Sequence, residues 1–132
     1  MKEKITKDTK KARDFFLEKI SFLTGPFELK EKIQNDIEDI NIIDVRRYED
    51  YIEGHIPFAI HVPFDSLEEH LVMFEKDKVN IVYCYSAYCK LGAKAAYMIA
   101  DKGYPVMLLE GGYLTWQKLG YDCIKTSGDT DN

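Results

Sequence analysis

Short apolar runs that alternate with helix-like patterns constrain the fold of this chain more than any other feature. The runs are rich in branched aliphatic residues and span 40–45, 59–63, 79–83 and 106–109. Between them, apolar residues recur at the three- and four-residue spacing of an amphipathic helix. Strands that alternate with helices pair in parallel and are covered by those helices. The pattern therefore predicts a layered α/β domain with a mostly parallel sheet.

Helix start and stop signals refine this prediction. Residues 8–23 place apolar groups on one helical face, which we expect to pack on the domain or else to cover a partner. Gly25-Pro26 ends that helix and opens a second. Two helices are thus predicted before the first strand. Ser66 and Glu69 have the spacing of a capping box, which predicts a helix through residue 74, and Gly103 is placed to end the helix that follows residue 90.

Charge and cysteine content exclude several classes of protein. The formal net charge is -5 and the lysines are spread along the chain, so we expect no nucleic-acid partner. No apolar run approaches the roughly 20 residues of a spanning helix, so we expect no membrane partner. Three cysteines do not form the even-numbered framework of a small secreted domain. The sequence favours a single domain in the reducing cytoplasm.

Cys84 is the strongest candidate for a reactive residue. It ends the apolar run 79–83 and precedes a helical pattern, so it stands at a strand-to-helix turn. Ligands of open α/β sheets bind beyond the carboxyl ends of the strands, where helix amides favour anions. A cysteine in this position can be held as the thiolate, its nucleophilic form. The sequence therefore predicts sulfur chemistry at Cys84.

Two ordered motifs around Cys84 resemble the signatures of rhodanese-homology domains. The resemblance extends from about Pro26 to Tyr121, and Cys84 stands where that family carries its catalytic cysteine. The motifs are Asp44-Val45-Arg46, Asp50-Tyr51, Gly54-His55-Ile56-Pro57 and Ala59, followed by Gly103-Tyr104, Glu110-Gly111-Gly112-Tyr113 and Trp116.

The resemblance implies a three-layer α/β/α fold with a mostly parallel sheet of about five strands, to which the helical pattern of residues 8–23 adds an amino-terminal helix. Together with a carboxyl-terminal segment poor in apolar residues, these observations predict a division of the chain. Residues 1–25 would form an amino-terminal helical extension, residues 26–123 the rhodanese-like domain, and residues 124–132 a disordered tail.

The same resemblance implies a sulfurtransferase. Cys84 would take sulfane sulfur from thiosulfate or from an organic or protein persulfide and pass it, as a persulfide, to a thiol or a cyanide-like acceptor. A sulfur-relay protein is a candidate partner, and no metal or other cofactor is implied. Asp44, Arg46 and His55 would have structural roles, with Asp50 as an acidic partner of Arg46. The backbone amides of the active loop would cradle the anionic sulfur: Tyr85, Ser86, Ala87, Tyr88, Cys89 and Lys90.

The active loop departs from the family pattern. Tyr85, Ala87 and Cys89 stand where the family has a basic residue, a glycine and a basic or hydroxyl residue. This loss of charge argues against a preference for thiosulfate, unless Lys90 or Lys94 supplies the positive charge. Phe58 also stands where glycine is usual.

Several alternatives remain open at this point. Cys89 is a possible accessory thiol that resolves or accepts the sulfur of Cys84, or it is only a small loop residue; in another registration it is itself the catalytic cysteine. The chain could instead be a weakly catalytic binding or redox-sensing module that uses Cys84 and Cys89. Less favoured is a phosphatase or arsenate reductase of the same fold, in which Lys90 would replace an arginine.

Overall fold

A five-stranded parallel sheet forms the centre of the computed structural model, which describes residues 5–126. The strand order is β1-β5-β4-β2-β3, and every neighbouring pair is parallel. The strands are β1 (Leu23–Thr24), β2 (Ile40–Asp44), β3 (Ala59–His61), β4 (Val79–Tyr83) and β5 (Val106–Leu109). This confirms the predicted α/β fold with a parallel sheet.

Six α-helices accompany the sheet within the described residues. They are α1 (Thr9–Phe22), α2 (Pro26–Asn35), α3 (Tyr48–Glu53), α4 (Leu67–His70), α5 (Leu91–Asp101) and α6 (Gly112–Lys118). As predicted, α2 begins at Pro26, and Gly103 follows α5 with a left-handed φ of 90°. None of the helices in this part of the chain has the length and apolar character needed to cross a membrane.

The two faces of the sheet bury separate hydrophobic clusters. Alternate residues of β2 and β4 point to opposite faces, as strand geometry requires. Ile42 and Ile81 pack with Trp116 on one face, whereas Val82 packs with Ile99 on the other. Each fully buried side chain of this size stabilises the fold by about 1.5–3 kcal/mol relative to exposure. The fold therefore has three layers, with helices on both faces of the sheet.

The first strand was not predicted. Leu23–Thr24 forms β1 between the first two helices, whereas the sequence predicted that both helices precede every strand. The strand exists because Leu23 pairs with Leu108 and because the Thr24 carbonyl accepts a hydrogen bond from the Glu110 amide at 2.8 Å. Two residues are too short to show strand periodicity, so tertiary pairing decides their conformation.

Two helix predictions are wrong in detail. Within the described structure no residue of α1 is buried, and Phe15 and Ile20 are exposed, so most of its apolar face stays open instead of packing on the domain as expected. The Ser66 side chain makes no capping hydrogen bond to α4. Ser66 ends a 3-10 turn instead, and its hydroxyl donates to the Pro63 carbonyl at 3.3 Å. The segment is therefore one short helical turn between two 3-10 turns.

The division into extension, domain and tail stays a prediction. Ile124 exchanges two backbone hydrogen bonds with His55, and the Thr126 amide donates to the Ile52 carbonyl. The rest of the predicted tail, residues 127–132, lies outside the described residues. The first part of that segment is thus attached to the region around α3.

Candidate active site

Cys84 lies directly after β4, the central strand of the sheet, and is only 3% exposed. Its side chain belongs to the hydrophobic cluster on the α5 face. It also borders a cavity of about 280 Å³ at the carboxyl ends of the strands. Other residues that line this cavity include Ser86, Ala87, Cys89, Gly92 and Glu110. The thiol that sequence reasoning selected therefore lies where a small ligand could reach it.

Gly92, in the first turn of α5, allows the helix to approach Cys84 closely. A Cβ atom at this position would lie 3.0 Å from Leu108 Cδ1 and 3.4 Å from Cys84 Cβ. Sequence analysis did not identify this residue, because a glycine inside a helical pattern gives no sign of its neighbours. A side chain here would crowd Leu108 and Cys84, so one of these neighbours would have to shift.

The active loop between Cys84 and α5 is held by the first residues of α6. The Tyr113 amide donates to the Cys84 carbonyl and the Leu114 amide donates to the Tyr85 carbonyl, both at 2.9 Å. Gly112 has a φ of 64°, and a Cβ atom there would lie 2.7 Å from the Ser86 nitrogen. The glycine is therefore required both by its left-handed backbone and by the loop packed against it.

Hydrogen bonds inside the loop fold it back on itself. The Cys89 amide donates to the Ser86 carbonyl at 3.2 Å, and the Tyr88 amide donates to the Ser86 hydroxyl at 3.3 Å. Tyr88 is 94% exposed, so its ring does not shape the cavity. This turn returns the chain to the cavity and places Cys89 beside Cys84.

Tyr85 anchors the loop to α3. Its hydroxyl donates to Asp50 Oδ2 at 2.8 Å and accepts a hydrogen bond from the Arg47 amide at 3.2 Å. The hydrogen bond from Tyr85 and the ion pair with Arg47 outweigh the effect of burial and lower the pKa of Asp50. The sequence had suggested Arg46 as the partner of Asp50. In the structure Asp50 pairs with Arg47 and Tyr85 instead.

The sulfur atoms of Cys84 and Cys89 are in direct contact, with an Sγ–Sγ distance of 2.6 Å. Cys89 is partly exposed and lines the same cavity. Cys123 is exposed and does not line this cavity. The structure therefore brings two of the three thiols together, and they are the two in the active loop.

Burial and mutual contact give the two thiols different pKa values. Burial raises the pKa of the Cys84 thiol to about 12, and the Cys89 sulfur adds to this rise, although the Tyr85 and Gly92 amides oppose it. Burial alone would also raise the pKa of Cys89. The hydrogen bond to Cys84 and the amides of Leu91, Tyr85 and Gly92 instead lower that pKa below its ordinary value. The pair thus loses its first proton readily and its second with difficulty.

The charged residues around the cavity are not those of a binding site for small dianions. Glu110 lines the cavity, and its carboxylate lies 3.4 Å from Lys19 Nζ. Lys90 and Lys94, the predicted sources of positive charge, line a different cavity that also contacts Glu68 and Tyr97. Among the described residues, the lining of the Cys84 cavity includes no lysine or arginine.

Asp44 and Arg46 form a buried ion pair beneath the loop. The Arg46 guanidinium donates to both Asp44 carboxylate oxygens, at distances down to 2.7 Å, and to the Gly54 carbonyl at 2.6 Å. The Tyr83 hydroxyl donates to Asp44 at 2.7 Å and accepts from the Ile56 amide at 3.1 Å. Sequence analysis missed Tyr83, because a tyrosine at the end of an apolar strand resembles ordinary core.

His55 lies in the same region rather than in the cavity. Its Nδ1 atom donates to the Tyr51 carbonyl at 2.8 Å, and its ring stacks on the Tyr51 ring with centroids 3.9 Å apart. None of Asp44, Arg46 and His55 lines the Cys84 cavity. Their contacts support the structural roles predicted for them, which stay predictions, as does the catalytic role of Cys84.

Comparison with known proteins agrees with the geometry. A family model described as "Rhodanese-like domain" matches residues 26–119. A putative sulfurtransferase, YtwF of Bacillus subtilis, is 33% identical over 89 residues, which cover 67% of this chain and 84% of YtwF. The crystal structure of the BH2092 protein from Bacillus halodurans superposes with a TM-score of 0.85 and 33% identity, covering 90% of this chain and 88% of that one.

A similar domain also forms part of a longer protein. The HTH-type transcriptional regulator Rv0324 of Mycobacterium tuberculosis is 35% identical over 82 residues, or 62% of this chain. That match spans only 36% of the regulator. The similarity therefore concerns one part of that protein.

Proposed function

Because the chain belongs to the rhodanese-like domain family, we propose that it is a sulfurtransferase in which Cys84 carries sulfane sulfur as a persulfide. The observation that carries this proposal is the position of the Cys84 thiol. It follows the central strand and borders a small cavity lined by residues of the active loop, the start of α5 and the turn before α6. Burial raises the pKa of this thiol to about 12, and the amides of Tyr85 and Gly92 oppose that rise by favouring the anionic form.

The proposed reaction has two displacement steps. In the first, the Cys84 thiolate attacks the outer sulfur of the donor, the sulfur–sulfur bond of the donor breaks, and the leaving group keeps the electron pair. In the second, a thiolate or cyanide-like acceptor attacks the outer sulfur of the persulfide, and Cys84 leaves as a thiolate. Both steps balance without a further redox partner. The Cys89 sulfur, 2.6 Å away, can take the Cys84 proton before the first step.

The charges around the cavity favour an organic or protein persulfide as donor over thiosulfate. A dianion would enter a cavity whose charged lining residue is Glu110, while Lys90 and Lys94 lie elsewhere. A persulfide of low charge avoids this repulsion. A reducing compartment such as the cytoplasm would keep both thiols free, and the acceptor would be a small thiol or a sulfur-relay protein.

Sulfur loading tests this proposal directly. The reduced protein is incubated without oxygen with glutathione persulfide or with thiosulfate, and its intact mass is measured after rapid desalting. We expect wild type to take one sulfur atom per chain from the donor, measured as one equivalent of released glutathione or sulfite and as a transient gain of mass, faster from glutathione persulfide than from thiosulfate. Cys123→Ser should load like wild type, whereas Cys84→Ser and Cys84→Ala should not load. If the Cys84 variants load as well as wild type, the proposed role of Cys84 is wrong.

The phosphatase alternative receives little support from the site. Phosphoryl transfer requires several donors on the equatorial oxygens at once. Lys90, the residue that would replace the arginine, lines a second cavity, with Glu68 and Tyr97, instead. Sulfur transfer requires only the thiol, its amides and room for a sulfur atom.

A further inference from the structure

We propose that Cys89 is a resolving thiol that converts the Cys84 persulfide into a Cys84–Cys89 disulfide and releases hydrosulfide. The protein would then reduce sulfane sulfur to sulfide at the expense of an external dithiol. This inference rests on the proposed function, because the persulfide must form first. It adds a second activity, a persulfide reductase, to the transfer reaction.

Geometry is the first argument. The Cys89 sulfur lies 2.6 Å from Cys84 Sγ, and this is the atom it must attack. The turn closed by the hydrogen bond between the Cys89 amide and the Ser86 carbonyl holds it there. A nucleophile positioned in this way reacts with an effective concentration far above that of any dissolved thiol. The neighbouring thiol therefore competes with free acceptors for the Cys84 persulfide.

Charge is the second argument. Thiolates rather than thiols attack disulfides and persulfides. The backbone amides of Leu91, Tyr85 and Gly92 support an anion on Cys89, and they keep the pKa of its thiol low. Cys84 is buried, so an external thiol reaches the Sγ atom of its persulfide less easily than the neighbouring Cys89 does. For attack on Cys84 Sγ, Cys89 is thus the thiol with both access and ionisation.

The atoms and electrons of the reaction balance. When the persulfide forms, its outer sulfur takes the proton held by Cys89. The Cys89 thiolate then attacks Cys84 Sγ, the bond between Cys84 Sγ and the outer sulfur breaks, and hydrosulfide leaves with the electron pair. The sulfane sulfur gains two electrons and the two cysteines lose them. An external dithiol restores both thiols by disulfide exchange and becomes a disulfide itself.

A single-turnover experiment tests this step. Reduced protein is mixed without oxygen with one equivalent of glutathione persulfide and no dithiol. Samples are quenched by alkylation over time, sulfide is measured as its bimane derivative, and intact mass is recorded. Wild type should release about one sulfide per chain as its two loop thiols become resistant to alkylation, which is the mark of a disulfide. Protein without donor should keep both thiols.

The variants separate the two proposals. Cys89→Ser should gain one sulfur atom and keep it, with sulfide release slowed on the order of 100-fold. Its loaded persulfide also shows that the variant is folded. Cys123→Ser should behave as wild type. A wild-type persulfide that persists beside an alkylatable Cys89 would overturn this inference and leave the proposed function intact. If neither wild type nor Cys89→Ser gains sulfur, the proposed function itself fails.

Discussion

Arg46 and Arg47 are adjacent in the sequence and lie in opposite environments. The Arg46 side chain is 4% exposed and pairs with Asp44, which is fully buried, whereas the Arg47 side chain is 74% exposed and pairs with Asp50. A buried ion pair costs several kcal/mol of desolvation, and its members stabilise each other only as long as both are present. The two arginines therefore allow one buried and one exposed ion pair to be compared within the same loop.

We predict that Arg46→Met lowers the free energy of unfolding by about 3–5 kcal/mol, because it leaves the Asp44 carboxylate buried without its cation. Arg47→Met is the matched control and should leave that free energy close to the wild-type value, because exposed ion pairs contribute little to stability. Urea unfolding followed by tryptophan fluorescence measures both values at Trp116. Equal losses in the two variants would show that burial of the pair does not decide its contribution.

Phe58 is a second residue whose environment explains a sequence anomaly. It stands where the resemblance has glycine, and in the structure its φ is 72°, in the left-handed region. A side chain in this region costs about 1–2 kcal/mol relative to glycine. The ring is 66% exposed, so packing of the side chain offsets little of this strain energy. The sequence showed the departure, but only the backbone angle shows its consequence.

We predict that Phe58→Gly raises the free energy of unfolding by about 0.5–1 kcal/mol, since relief of the left-handed strain exceeds the entropy cost of glycine. Phe58→Ala removes the ring but keeps the strain, so it should not stabilise the protein. Thermal unfolding of both variants distinguishes these effects. A similar gain in Phe58→Ala would instead attribute the effect to the exposed ring.

At the scale of elements, the sequence predicted most accurately the strands whose apolar residue pattern agrees with their burial in the folded protein. The runs at β2 and β4 are long, apolar and buried on both faces, so local preference and tertiary packing agree there. β1 and α4 depend on partners far away in the sequence, and their local patterns were absent or misleading. In the active loop, the sequence predicted Cys84 as the candidate thiol. The contact of Cys89 with Cys84 depends on the turn between Ser86 and Cys89, which has no recognisable sequence pattern.

The junction of the active loop and α6 gives a prediction at this scale. A Cβ atom at Gly112 would lie 2.8 Å from the Tyr85 carbonyl carbon and 2.9 Å from the Cys84 carbonyl oxygen, so the loop backbone must move. We predict that Gly112→Ala slows sulfur loading on the order of 100-fold, because displacement of a reacting group by about 1 Å has effects of that size. Release of glutathione from glutathione persulfide, followed over time, measures the rate.

Gly120 provides the control for this substitution. It also has a left-handed φ, of 78°, but a Cβ atom there would meet nothing within 4 Å. Gly120→Ala should therefore lower the free energy of unfolding by about 1–2 kcal/mol through backbone strain and leave loading unchanged. Comparable slowing of loading in the two variants would mean that general strain, rather than contact with the loop, limits the reaction.

At the scale of the whole molecule, the amino-terminal extension and the sheet meet at β1. The resemblance divides the chain after residue 25, which would assign Leu23–Thr24 to the extension. Yet this strand pairs with β5, and the Thr24 carbonyl holds the Glu110 amide immediately before the glycines that lead into α6. Helix α1 precedes it with no buried residue in the described structure. We therefore propose that the functional boundary of the domain lies between α1 and β1.

Two truncations test that boundary. A chain that begins at residue 22 retains β1, so we expect it to keep the loading rate of the full chain and to lose only a few degrees of melting temperature, because α1 buries little apolar area. A chain that begins at residue 26 loses the acceptor of the Glu110 amide and exposes an edge of β5. It should load sulfur at least about 10-fold more slowly, since a lost backbone partner costs on the order of 1–3 kcal/mol and loosens the turn at Gly111 and Gly112. If the shorter chain instead loads like the full one, β1 contributes nothing to the site, and the domain begins with α2.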